Sequence, residues 1–194
     1  MTISTDQITN AAQRLKGVIT DTPLQLSKRL SEKYDTTIYI KREDLQQVRS
    51  FKIRGAYNKM ATLTDEEKKR GVVCASAGNH AQGVALSCSL LKINGVIFMP
   101  TVTPTQKIDK VKQFGGEYVE VKLVGNTYDD AGKAAKEYCR EKNAIYVHPF
   151  DDALTIAGQG TVGKEIYDAL CDSENRTPSN SPLRLELRAN RLSG

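Results

Sequence analysis

Between Gly71 and Phe150 the chain switches repeatedly between short apolar runs and segments with helical spacing. "GVVCAS" from Gly71 is a buried-type run ending in small residues, "HAQGVALSCSLLK" from His80 is helical and apolar nearly all round, and "GVIFMP" from Gly95 is a second run stopped by Pro100. "TPTQKIDKVKQFGG" has a Thr-Pro start and a Gly-Gly stop, with Ile108, Val111 and Phe114 on one side among lysines. "EYVEV" is a third run, "NTYDDAGKAAKEYCREKN" places Tyr128, Ala131, Ala135 and Tyr138 at helical spacing, and "AIYVHPF" is a fourth run. Strands separated by helices pair in parallel through right-handed crossovers, so an open α/β sheet is expected.

Ahead of this unit lie a helix over Thr5 to Lys16, a turn through "TDTPL", a helix ending near Tyr34 and a strand "TIYIKRE" from Thr37 to Glu43. That strand could belong to the same sheet or to the edge of a second domain, because the helix carrying Lys52 intervenes.

Charge and cysteine usage exclude several functions. The net charge of +5 comes from 28 basic and 23 acidic residues with no like-charge run longer than Lys68-Lys69-Arg70, too diffuse to argue for nucleic acid. Cys74, Cys88, Cys139 and Cys171 show no C-x-x-C spacing and the histidines are only His80 and His148, so neither a metal site nor a disulfide framework is expected. No apolar run approaches the ~20 residues of a membrane span, and the start resembles neither a signal nor a transit peptide. A cytoplasmic protein is expected.

Residues 171–194 differ in kind from the body. Met1 to Leu170 contains 17 lysines and 7 arginines, whereas "CDSENRTPSNSPLRLELRANRLSG" has no lysine and 4 arginines. Without periodicity, this tail is expected to be disordered and foreign to the fold.

Two motifs carry candidate chemistry. In "SFKIRGA", Ser50 is a candidate N-cap and Lys52 the second residue of a helix, where the macrodipole and the like charges of Arg49 and Arg54 disfavour the ammonium form. A lowered pKa is what a nucleophilic amine requires. The same helix start could instead bind an anion, and most lysines are simply solvated. In "CASAGNHAQG", the small residues Ser76, Ala77 and Gly78 let a ligand approach the backbone, with Asn79 able to cap the helix that follows. That stretch is equally readable as a tight strand-to-helix turn.

Other features are read as structural. "GQGTVG" at Gly158 to Gly163 matches G-x-G-x-x-G, but no strand runs directly into it, so dinucleotide binding is rejected. His148 before Pro149 reads as structural, His80 as either a site residue or a first-turn polar residue, and Glu43-Asp44 as a strand-end turn.

"SFKIRGA" and "SAGNHAQG", in this order and spacing, closely resemble the paired signatures of the pyridoxal-phosphate-dependent threonine and serine dehydratases, the fold type II enzymes. The resemblance runs from about Thr5 to Leu170 and includes "TPL" at Thr22, "KREDLQ" at Lys41, "HPFDD" at His148 and "AGQGT" at Ala157. "LQQVRSFK" is more similar to the biosynthetic threonine deaminases of isoleucine synthesis than to the catabolic ones, which tend to carry glycine just before the serine, where this chain has Arg49.

The resemblance implies that Lys52 is the Schiff-base lysine of pyridoxal 5'-phosphate, that Phe51 packs beside the ring and that Asn79 hydrogen-bonds the ring oxygen. It implies that the loop Ser76, Ala77, Gly78, Asn79 and His80 holds the substrate carboxylate. The expected fold is the small open parallel-sheet α/β domain of the fold type II enzymes plus an incomplete part of the large domain. Residues 1–48 would be the N-terminal part of the large domain, 49–156 the small domain, 157–170 the first helix returning to the large one, and 171–194 the anomalous tail. The expected reaction is deamination of L-threonine to 2-oxobutanoate, with L-serine a weaker substrate, in an enzyme that is a homo-oligomer when full length. The family's phosphate-gripping glycine loop and later pyridine-pairing serine would lie beyond Leu170, so a chain shortened there is expected to be nearly inactive. A serine dehydratase or serine racemase-like enzyme, or a non-catalytic interaction fragment, is the alternative.

Overall fold

The computed structural model describes residues 2–172. Apart from its first two residues, the 171–194 tail therefore lies outside the described residues.

The chain opens with α1 (Thr5–Leu15), started by a reciprocal capping box between Ser4 and Gln7. β1 (Leu24–Leu26), α2 (Lys28–Tyr34) and β2 (Tyr39–Lys41) follow. β1 and β2 pair antiparallel, Gln25 opposite Ile40, in a sheet of their own. The expected strand from Thr37 to Glu43 is thus shorter than its apolar pattern suggests, and its partner emerges from the "TDTPL" turn, which the sequence reading ended without a strand.

The helix carrying the lysine is α3 (Lys52–Ala61), followed by α4 (Asp65–Arg70). The alternating unit then runs β3 (Val72–Ala75), α5 (Asn79–Leu91), β4 (Gly95–Met99), α6 (Thr105–Gly115), β5 (Val119–Leu123), α7 (Tyr128–Lys142) and β6 (Ile145–Tyr146), before α8 (Ala153–Asp172). The four strands β5-β4-β3-β6 pair in parallel, as the alternation requires.

Both faces of this sheet are covered. Val72 and Cys74 of β3 join Ile97 and Met99 of β4 in one core with Ala56, Met60, Val84 and Val111 from α3, α5 and α6. Val73, Ala75 and Phe98 point the other way, against Ala131 and Ala135 of α7. The near-continuous apolar runs of β3 and β4 follow from this two-sided burial.

The chain order of the strands fixes where a ligand could sit. β4 and β5 lie to one side of β3 and β6 to the other, so the topology reverses between β3 and β6. In open α/β sheets, ligands bind outside the carboxyl ends of the strands at such a reversal. The residues leaving those two strands are Ser76 to Gly78 and Val147 to Asp152. A cavity of about 310 Å³ beside Arg70, Asn94, Glu117 and Tyr138 opens at the opposite, amino end of the strands, which is the wrong end for this purpose.

α8 packs on α1 and α3. The "GQGTVG" run lies in the middle of this helix, in agreement with its rejection as a dinucleotide fingerprint. Its glycine serves packing instead: a Cβ on Gly158 would lie 2.4 Å from the carbonyl oxygen of Arg54.

Candidate active site

Three segments converge at the reversal: the start of α3, the loop Ser76 to Gly78 and the turn Val147 to Asp152. Lys52 is the first residue of α3, after Phe51, which sits in helical conformation and makes no capping bond. Ser50 does not cap the helix as expected; its hydroxyl is buried without a partner among the described residues. The chain enters α3 through a turn that already has helical geometry at Phe51, so no extended cap residue is present. Asn79 is not a cap either. It is the first residue of α5, with Gly78 in the cap position and no side-chain bond to the helix end. That leaves the first-turn N–H groups of α5 without a side-chain cap at the carboxyl end of β3.

The two helix starts are held together by a close backbone approach. A Cβ on Gly83 would lie 3.0 Å from the Lys52 carbonyl carbon and 3.1 Å from the Ile53 nitrogen. Asn79 precedes Gly83 by four residues and shares its helix face, so the loop is carried to the end of α3 where Lys52 lies.

The Lys52 amine is half-buried, donates to the Pro149 carbonyl oxygen at 2.9 Å and stands 5.2 Å from the Phe51 ring centroid. Burial holds its pKa below the ordinary lysine value. The direction agrees with the sequence reading, but the cause is corrected. Arg54 does not act on Lys52 as a free like charge, because it is itself paired with carboxylates.

The Arg54 guanidinium is fully buried, and every one of its N–H groups has an acceptor. Nε donates to Glu43 Oε2 at 2.8 Å, Nη2 to Glu43 Oε1 at 2.7 Å and Glu165 Oε2 at 2.8 Å, and Nη1 to Glu165 Oε1 at 2.5 Å and Thr161 Oγ1 at 3.0 Å. Lys41 pairs with Glu165 at 2.7 Å. Two carboxylates and two cations thus balance, and although burial alone would lower the Arg54 pKa, the two carboxylates hold it above its usual value. Glu43 is accordingly more than the strand-end turn residue it was read as; it ties the segment before α3 to α3 itself.

His80 is also buried. Its Nε2 lies 2.9 Å from the Val147 carbonyl oxygen, which can only accept, so the proton sits on Nε2. Nδ1 has no partner among the described residues, and burial pushes the ring's pKa down to about 4. His80 is therefore neutral near pH 7. His148 accepts from the N–H of Asp151 at 2.8 Å and shapes the turn, matching its structural reading.

Comparison with known proteins decides the family. Residues 15–177 match the model of the family described as pyridoxal-phosphate dependent enzyme. This chain belongs to that family. Within the pyridoxal-phosphate-dependent enzymes, it is 55% identical over 171 residues to the biosynthetic L-threonine dehydratase of Halalkalibacterium halodurans, covering 88% of this chain and 41% of that protein. With the corresponding Bacillus subtilis protein it is 54% identical, covering 86% of this chain and 39% of the other. The chain thus spans about two fifths of the length of these curated relatives. Among solved structures, the processed form of threonine deaminase isoform 2 from Solanum lycopersicum superimposes with a TM-score of 0.78 at 44% identity, covering 87% of this chain and 47% of the other. Maize serine racemase gives 0.82 at 32% identity, covering 88% and 51%. The α/β fold expected from the resemblance is therefore the family fold.

The residues present fit the family's cofactor. Lys52 offers a desolvated amine with a neutral acceptor as its hydrogen-bond partner, and the loop before α5 is open, since a Cβ on Gly78 would meet nothing within 4 Å. Sequence reasoning missed Pro149, Gln159 and Glu165. They lie 97 to 111 residues from their partners on α3, except that Gln159 touches Pro149 only ten residues away.

Proposed function

We propose that this chain supplies the amine and the carboxylate-binding loop of an enzyme deaminating L-threonine to 2-oxobutanoate and ammonia. The observation that carries the reading is the half-buried Lys52 amine, placed where the "SAGNHAQG" loop starts α5, in a chain 55% identical to a biosynthetic L-threonine dehydratase. When bound, pyridoxal phosphate supplies an electron sink for charge developing at the substrate α-carbon.

The chain's own residues account for the rest. Lys52 Nζ would hold the cofactor and would serve as the base for the α-proton; the burial that lowers its pKa leaves more of it neutral and able to act as a base. The N–H groups of Ala77, Asn79 and His80 at the helix N-terminus orient the substrate carboxylate, the loop being shaped by the Ser76 N–H, which donates to the Phe98 carbonyl oxygen, and the Gly78 N–H, which donates to Ser76 Oγ. Phe51 stands beside the amine as an apolar wall, and Asn79 would hydrogen-bond the ring oxygen of the bound cofactor. Loss of the α-proton and the β-hydroxyl, followed by hydrolysis, gives the products. L-Serine lacks one methyl group, worth only ~1–3 kcal/mol of discrimination, and is a weaker substrate.

Among the described residues the one G-x-G-x-x-G run is packed mid-helix and cannot cradle a phosphate. The 194-residue chain, about two fifths of the length of its curated relatives, is expected to hold the cofactor weakly and to turn over little threonine. The reading includes a cytoplasmic enzyme and a homo-oligomer when full length; no helix among the described residues is long and apolar enough to cross a membrane.

The test is titration with pyridoxal phosphate, following the absorbance of its lysine adduct in the native chain and in Lys52→Ala, with 2-oxobutanoate and pyruvate assayed from L-threonine and L-serine. An adduct that forms equally in Lys52→Ala overturns the assignment. Faster turnover of L-serine would shift it toward a serine-specific enzyme.

A further inference from the structure

The Pro149 carbonyl oxygen accepts two hydrogen bonds, from Lys52 Nζ at 2.9 Å and from Gln159 Nε2 at 3.1 Å. Gln159 reaches it from α8 by passing through a slot in α3. A Cβ on Gly55 would lie 2.9 Å from both Cγ and Nε2 of Gln159 and 2.8 Å from the Thr155 carbonyl oxygen. The slot exists only because position 55 has no side chain. The turn that presents the Pro149 carbonyl is anchored again two residues earlier, where His80 donates to Val147.

We propose that Gln159 is a positioning residue for Lys52: its amide fixes the Pro149 carbonyl against the free amine, so that the amine rests on one neutral acceptor and no counter-ion. The proposal rests on the reading of Lys52 as the working amine. A neutral carbonyl steadies an ammonium group far less than a carboxylate would, so the amine stays in place without being locked in its protonated form. The depressed pKa of Lys52 agrees with such surroundings.

The charged and titratable neighbours are consistent with this arrangement. On α3 and the turn before it are Arg49 and Arg54, the latter paired with Glu43 and, across on α8, Glu165. α5 contributes the neutral His80, and the turn contributes His148, Asp151 and Asp152, the last paired with Lys59 at 2.9 Å. No ion pair to Lys52 occurs among the described residues.

The experiment uses the whole 194-residue chain without cofactor. Competitive acylation by acetic anhydride across a pH series, with the Lys52 peptide followed by mass spectrometry, gives the titration midpoint of that amine. In Gln159→Glu a carboxylate comes within two hydrogen-bond lengths of Nζ, and the midpoint should rise by about one unit or more, slowing acylation below it at least ~tenfold. In Gln159→Met the carbonyl is no longer held, the buried ammonium loses its fixed acceptor, and the midpoint should fall. A merely loosened structure would admit water and raise both midpoints toward the ordinary lysine value. A Met midpoint at or above that of the native chain overturns the proposal. Methionine is unbranched and suits a helix, so its arm decides the matter if the Glu variant does not fold. Because no pyridoxal phosphate is used, failure of the cofactor adduct leaves this readout intact.

Discussion

Gly158 of α8 rests on the carbonyl oxygen of Arg54, so closely that a Cβ at position 158 would lie 2.4 Å from that oxygen and 2.8 Å from Asn58 Cβ. The contact lies on the same helix as Lys52, two residues further on, and lets α8 approach near enough for Glu165 and Gln159 to reach their partners.

The three glycines of "GQGTVG" should therefore respond to alanine in a graded way. Gly158→Ala drives a methyl into backbone that cannot yield locally, and should destabilise by about 2 kcal/mol or more. A Cβ on Gly160 would meet only the Ile8 side chain at 3.2 Å, so Gly160→Ala should stay within about 1 kcal/mol of the native chain. Nothing lies within 4 Å of a Cβ on Gly163, so Gly163→Ala should stabilise the helix by about 0.5–1 kcal/mol. Urea midpoints of the three variants check the order; equal effects would show that the run is not a packing site.

Arg54 is expected to tolerate no substitution. Arg54→Met leaves Glu43 and Glu165 facing each other with Lys41 as their remaining cation, and should destabilise by roughly 3–5 kcal/mol. Arg54→Lys keeps the charge but offers three donors to acceptors arranged for five, and should recover less than half of that loss. Full recovery by lysine in denaturant unfolding would show that charge alone matters there.

Arg49 holds a left-handed backbone at φ 58°, three residues before Lys52. An L-residue pays roughly 1–2 kcal/mol for that conformation, and glycine adopts it freely at some expense in chain entropy. Arg49→Gly should therefore be neutral within about 1 kcal/mol, whereas Arg49→Val, branched at Cβ, should destabilise by about 2 kcal/mol. Thermal melts of the pair give the answer, and equal losses would argue against a conformational cause.

What could be read from the residues alone depended on how far apart the interacting groups lie. The parallel sheet was legible because two-sided burial writes itself into β3 and β4 as uninterrupted apolar runs. α4 escaped because "DEEKKR" has no apolar face; its signal was the capping box of Thr64 and Glu67, with acids first and bases last. β1 escaped because three residues after a proline carry no period. Lys52 and its loop were legible as motifs, yet the reason for the depressed lysine pKa was not. Arg54 looks like a nearby free charge in sequence and is neutralised by Glu165, 111 residues away. The helix start was misread at Ser50 because a serine before a helix is a cap only when its backbone is extended, and here the turn into α3 is already helical by Phe51.

His80 should make the fold acid-sensitive, with a sign that follows from its burial. The folded ring has a pKa of about 4, below the ordinary value of 6.5 that it regains on unfolding. Above pH 7 the ring is neutral in both states and contributes no pH dependence. Between about pH 6.5 and 4 the unfolded chain takes up a proton that the native ring refuses, so stability falls with pH, by about 3 kcal/mol when the folded pKa is reached. Below that both states are protonated and the contribution levels off. Carboxylates such as Glu165 change stability in the same direction, so the native chain alone cannot isolate the effect. His80→Asn removes the titrating group, giving up its bond to the Val147 carbonyl at every pH. The stability gap between the native chain and this variant should therefore narrow by about 3 kcal/mol from pH 7 to pH 4 in urea titrations. A gap that stays constant over that range would mean that the ring takes up its proton in the folded state as readily as in the unfolded one, and that its burial beside Lys52 does not keep it neutral.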